Sequence, residues 1–241
     1  MVDLVVHFNY IPLILLQQIP VDGGPIYAET DLQKFISEPW NAISSLMIAA
    51  PAIFWGIKLR GKHREYLFLT LCLPLLFLGG TGSALFHAFR SSRLLLLMDV
   101  LPTALLTFSV GIYFWHKIVK HWYWIILVVI PFILIRFWLF EVLPDHTAIN
   151  VSYFVTGSMI FLPILFYLIQ TRFHYYTDIL FSVSMLSASL IFREVDPYPI
   201  SWLPMGTHFL WHTFSGIGAF YLGSYLFRLR RDEISKEVTP S

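Results

Sequence analysis

The sequence is short of charge. Only 13% of its 241 residues are Asp, Glu, Lys or Arg, against about 25% in a soluble globular domain. With 57% hydrophobic residues and a mean hydropathy of +0.68, the chain has too little polar surface to cover itself in water. An ordinary soluble domain is excluded, and the lipid bilayer is the expected surround. A net charge of +1 provides no basic surface, so no nucleic-acid partner is expected. The single cysteine, Cys72, lies in an apolar run; it rules out an internal disulfide and carries no redox information. The opening Met1-Val2-Asp3 has no positive segment and no clear small-residue cleavage site follows, so a signal peptide is not expected. Residues 4–19 are interrupted by His7, Asn9, Gln17 and Gln18. They read as an interfacial or packed N-terminal element rather than a span.

What the chain has in abundance is long apolar runs. A spanning helix needs about 20 mostly apolar residues, and seven runs qualify, at roughly 40–57, 66–87, 94–115, 122–142, 150–170, 176–193 and 207–228. The expected fold is all-α, an integral membrane bundle of seven transmembrane helices with short connections and no internal repeat. It divides into an extracytoplasmic segment over 1–39, the bundle over 40–228 and a polar, mobile cytoplasmic tail over 229–241. Orientation follows from loop Lys and Arg, which favour the cytoplasm. With the N-terminus outside, 11 of the 16 Lys and Arg fall on the cytoplasmic side, while Asp22, Glu29, Asp31, Glu38, Asp145, Glu194 and Asp196 collect outside. Gly79, Gly80, Gly82, Gly216 and Gly218 are expected to permit close helix contacts. The many Trp and Tyr residues suit interfacial belts. Arg136, within the fourth run, is compatible with a structural, paired or snorkelling role.

Against this apolar background three histidines stand out. His87 ends the second run, four residues after Ser83, and His208 and His212 open the seventh. A spacing of four places each pair on one helical face, one turn apart. In the expected topology all of these lie at the outer side, as do Asp99 at the start of the third run and Glu38 at the start of the first. One histidine in an apolar helix is more often a packed, hydrogen-bonded residue than a ligand. Three at one depth beside an aspartate point further, because ionisable groups within a membrane are costly and usually functional. Three neutral imidazoles suit zinc and leave one coordination position open, although imidazole also accepts other transition metals. A carboxylate such as Asp99 serves such a site by handling the proton of a water or orienting an imidazole. Ser83 can donate a hydrogen bond to a developing oxyanion. Together the parts suit hydrolysis of an amide or an ester. His63, His116, His121 and His174 fall in or beside the cytoplasmic loops, and His7 and His146 lack a paired partner; all six are expected to be solvated or interfacial.

At these residues the chain resembles the alkaline ceramidases. These belong to a wider superfamily of seven-helix membrane hydrolases and receptors, with the adiponectin and progestin receptors and the lipid-remodelling enzymes of GPI anchors. The shared pattern reads Ser83-Ala-Leu-Phe-His87 at the end of helix 2, Met98-Asp99-Val100-Leu101-Pro102 at the start of helix 3, and His208-Phe-Leu-Trp-His212 at the start of helix 7. Glu38-Pro39-Trp40-Asn41 looks like the ceramidase Glu-Phe-Trp-Asn opening of helix 1. Each motif is short; their order over nearly the whole chain is specific.

The resemblance implies zinc held by His87, His208 and His212, Asp99 and Ser83 as catalytic residues, and an acyl chain lying between helices. The implied substrate is a ceramide-like membrane lipid, cleaved to a fatty acid and a sphingoid-type amine. It also implies a calcium site before helix 1, to which Glu29, Asp31 and Glu38 could contribute oxygen ligands. That match is imperfect, since Ile26 stands where the family has an acid and the spacing to Glu38 is shorter; a solvated acidic loop is the alternative. Two other functions stay open at this stage: a lipid esterase of the same architecture, and a receptor-like lipid-binding bundle with structural zinc. No feature sets an oligomeric state.

Overall fold

A computed structural model describes residues 20–119 and 121–238. The N-terminal element expected over 4–19, with His7, lies outside the described residues, as do the last three residues of the tail and the side chain of His146. The described chain is all-helical: α1 (Pro39–Lys58), α2 (Leu67–Phe89), α3 (Arg93–Ile118), α4 (Tyr123–Val142), α5 (Asp145–Gln170), α6 (Tyr176–Val195) and α7 (His208–Val238). Each helix corresponds to one of the seven apolar runs.

Five of them, α1 to α5, are long and apolar enough to cross a membrane. The other two fall short for a visible reason. Within α6 stand Asp178, Ser182, Ser184, Ser187, Ser189, Arg193 and Glu194, and α7 begins on two histidines and ends in charged residues. Much of this polarity faces inward: Asp178, Ser182, Ser189, Arg193, His208 and His212 are all buried. The outer surface is the opposite of a soluble protein's. On α4, Phe137 is 71% and Trp138 60% exposed, and large apolar residues project from every one of α1 to α6. Contiguous apolar surface of this kind needs a lipid surround.

The apolar core joins α1, α2, α3, α5, α6 and α7 at the end of the bundle away from the histidines, around Trp55, Leu59, Phe114, Ile164 and Tyr225. At the other end, close backbone approach does the joining. A Cβ on Gly82 would collide with the Met98 carbonyl, and one on Gly216 with the Met47 carbonyl. The first contact brings α3 against α2 beside Ser83 and Asp99. The second brings α7 against α1 beside Ser44, Ser45 and His212.

The tail differs from expectation. Instead of becoming mobile after residue 228, α7 continues to Val238. Its charged residues have partners on several elements, which is why the helix persists. Arg230 Nε donates to the Glu65 carbonyl at 2.8 Å, Lys117 Nζ reaches Glu233 at 2.5 Å, and Asp232 accepts from His174 at 2.9 Å and from Tyr175 at 3.0 Å.

The glycine contacts generate a stability test. Gly82→Leu must force α2 and α3 apart, and overpacking typically costs about 1–3 kcal/mol. Gly157→Ala meets nothing within 4 Å and should leave stability unchanged or raise it, since Ala is a better helix former than Gly. Thermal unfolding in detergent should rank Gly82→Leu well below wild type and Gly157→Ala at or above it. Equal midpoints would contradict the packing described.

Candidate metal centre

The three histidines converge. His87 comes from the last turn of α2, and His208 and His212 from the first two turns of α7. All three are buried, and their ligand-capable nitrogens lie within 4.8 Å of one another. Ring centroids are separated by 5.2 Å for His87–His208, 4.8 Å for His87–His212 and 4.6 Å for His208–His212. Among the described residues this is the one His, Cys, Asp and Glu cluster able to hold a metal ion.

The hydrogen bonds around the rings indicate which atoms face inward. His87 Nδ1 donates to Glu38 Oε2; an ionised carboxylate only accepts, so Nδ1 carries the hydrogen and Nε2 keeps its lone pair. His212 Nδ1 lies 2.9 Å from Ser44 Oγ and 3.2 Å from Ser45 Oγ. The Ser44 hydroxyl donates to the Asn41 carbonyl at 3.1 Å, and the Ser45 hydroxyl donates to that carbonyl at 2.7 Å or to Ser83 Oγ at 3.0 Å. Their oxygens therefore face His212 Nδ1 as acceptors, and Nε2 is again the nitrogen with a lone pair. His208 Nδ1 is buried with no hydrogen-bond partner, an expense that a metal bound through that nitrogen would remove. Three neutral imidazoles, two with their outer nitrogens engaged by acceptors, form a donor set that fits a transition-metal ion.

Helix termini fix the rings in place. The N-terminus of α7 is capped from a distance: Asp196 Oδ1 accepts from the backbone N–H of Thr207 at 2.8 Å and of His208 at 2.9 Å. The start of α1 is capped in the same way. Pro39 supplies no N–H there, and Glu29 accepts from Trp40 N at 2.6 Å and Asn41 N at 2.9 Å. A carboxylate at a helix N-terminus is favoured both by the orphan N–H groups and by the helix dipole. Tyr27 stacks on His208 with centroids 3.8 Å apart and leans on His87 at 5.2 Å.

Ser83 and Asp99 complete the cluster. Ser83 is buried, with Oγ 3.0 Å from Ser45 Oγ. Asp99 is within hydrogen-bond reach of Ser83. All five residues singled out for hydrolytic chemistry thus occupy one end of the bundle.

The three acids considered for calcium are committed to three separate tasks. Glu29 caps α1. Asp31 pairs with Lys34 at 3.1 Å near the surface. Glu38, wholly buried, joins His87, Arg90 and Thr30, the last at 2.6 Å. The structure therefore does not gather them as one ligand set. Burial pushes the Glu38 carboxyl up, but the His87 hydrogen bond and the Arg90 charge outweigh it and hold the group below the usual range. Glu29 moves the other way; partial burial raises it despite the two backbone N–H bonds.

The three histidines stand out in the sequence, and their supports do not. Glu38, Ser44 and Ser45 as partners of the rings, Asp196 as the cap of α7 and Tyr27 as a stacking residue all emerge only in three dimensions. One signal was present, a pair of serines in the first turns of an apolar helix just after an acid.

The purified protein should carry about one metal ion per chain. His208→Ala or His212→Ala should abolish it, and Glu38→Gln should weaken its affinity by about 10- to 100-fold, the usual penalty for losing the outer partner of a ligating imidazole. Elemental analysis together with chelator competition checks both; full metal content in both histidine variants would remove the centre.

No protein-family model matches this chain, and no curated protein matches it.

Proposed function

We propose that this chain is a seven-span membrane hydrolase that holds zinc on His87, His208 and His212 and cleaves the N-acyl bond of ceramide or a similar lipid. The N-terminus is outside, the C-terminus is cytoplasmic, and the site opens toward the extracytoplasmic side. The observation that carries this reading is the placement of Ser83 and Asp99 against the three histidines. A purely structural metal needs neither. The resemblance to the alkaline ceramidases over the same five residues supports the substrate class, and the Lys and Arg asymmetry supports the orientation.

Bound at the three imidazoles, zinc supplies a Lewis acid that polarises a carbonyl oxygen and makes water acidic near neutral pH. The protein's own groups supply the rest. Asp99 accepts the proton of the attacking water and returns it to the amine nitrogen as the C–N bond breaks. Ser83 Oγ–H donates to the carbonyl oxygen as that oxygen gains charge. Water and amide are consumed, and a carboxylic acid and an amine are formed. The low-polarity surround strengthens each of these contacts relative to water.

The test is a mixed panel of N-acyl and O-acyl lipids incubated with purified protein, with free fatty acid measured. Ceramide-type amides should release fatty acid. Asp99→Asn should reduce the rate by about 100-fold or more, as general base catalysis contributes at least that much. Ser83→Ala should reduce it by about 100- to 1,000-fold if its hydroxyl is an oxyanion donor. Unchanged release in Asp99→Asn would remove Asp99 from the mechanism, release from esters alone would replace the amidase with an esterase, and no release at all would overturn the hydrolase reading.

A further inference from the structure

Arg90 stands in an unusual backbone position. It follows the last residue of α2 with φ 46° and ψ 31°, and its N–H donates to the Phe86 carbonyl at 2.9 Å. This left-handed helix end favours glycine, because a Cβ is strained there. The chain nevertheless keeps its longest cation at the position and buries it. A local rule broken in this way points to a side chain required for what it reaches.

Its guanidinium reaches two buried carboxylates. Nε lies 2.7 Å from Asp22 Oδ2 and Nη2 3.1 Å from Asp22 Oδ1, a two-pronged clamp. Nη1 donates to Glu38 Oε1. The other oxygen, Glu38 Oε2, accepts from His87 Nδ1. The Phe86 ring lies 4.6 Å below the guanidinium, and Gly24 leaves the room: a Cβ there would meet Phe86 at 2.8 Å and Arg90 Nη2 at 3.3 Å. Asp22, Arg90, Glu38 and His87 thus form one continuous buried chain of charge-assisted bonds, from the segment before α1 to the cluster.

Resting on the reading of the histidines as a metal centre, we propose that Arg90, clamped by Asp22, is a positioning residue for that centre. One guanidinium between two carboxylates leaves the Asp22–Arg90–Glu38 group with a net negative charge beside His87. With its fork fixed on Asp22, the guanidinium presents Nη1 to Glu38 Oε1, and this leaves Oε2 placed to accept from His87 Nδ1 and turns His87 Nε2 toward the other two rings. A point charge would not clamp Asp22 and reach Glu38 in one fixed geometry. The protein carries its own fixed cation beside Glu38, the acid considered above for calcium.

The experiment measures zinc affinity by chelator competition, and the visible spectrum with cobalt in place of zinc, on the full-length protein in detergent and without any lipid substrate. Arg90→Gln should weaken affinity by about 10- to 100-fold and shift the cobalt spectrum. Arg90→Lys should recover part of the affinity, and Asp22→Asn should fall between wild type and Arg90→Gln. A helix-capping role alone would reduce the yield of folded protein while leaving the affinity and spectrum of the folded fraction unchanged. Should Arg90→Gln not fold, Arg90→Lys and Asp22→Asn carry the same comparison. Wild-type affinity and spectrum in the folded variants would overturn the proposal while leaving the metal centre standing. Failure of the wild-type protein to bind zinc or cobalt would overturn both.

Discussion

The Glu38–His87 hydrogen bond is the contact on which the rest of the site depends. Glu38 is the residue before α1, and His87 lies at the end of α2. The bond therefore ties two helices and the segment before α1 to one ring. Both partners are buried, as is Arg90, which shares the carboxylate. In such a place each group is tolerable only because the others are present. Removing one member of a buried ion pair costs about 3–5 kcal/mol, because it strands the remaining charge. Orientation of the first imidazole is thus enforced by electrostatics that the surrounding apolar bundle makes strong.

The other two rings are held by different means to the same end. His212 is set by a pair of serines whose hydroxyl hydrogens point to the Asn41 carbonyl or, for Ser45, to Ser83 Oγ. His208 is set by the cap of its own helix, through Asp196, and by the face of Tyr27. Asp196 Oδ2 also accepts from Ala28 N at 3.0 Å, so the segment carrying Tyr27 is tied to the start of α7. The apolar core is left to the opposite end, around Phe114 and Tyr225.

The division between what was legible in the sequence and what was not follows from these physics. Seven helices were readable because long apolar runs have few alternatives in lipid. His87, His208, His212, Ser83 and Asp99 were readable because polar groups in apolar runs are few and their spacing of four sets a common face. Supports were unreadable because they come from loops, whose paths no periodicity reports. Glu29 caps a helix 11 and 12 residues away, and Asp196 caps one across the α6–α7 loop. Glu38 was recognised as an acid at the start of α1, but its partner across 49 residues was not. The persistent helix of the tail was hidden for a related reason: Lys117, Glu65 and His174, which anchor it, belong to other elements.

The central claim is that the three imidazoles share one zinc ion, and X-ray absorption at the zinc edge on the purified protein tests it most directly. Three imidazole nitrogens at about 2.0–2.1 Å, with one further light ligand, are the expected first shell. A spectrum with no imidazole scattering, or with sulfur or carboxylate oxygen as the main ligands, would contradict it.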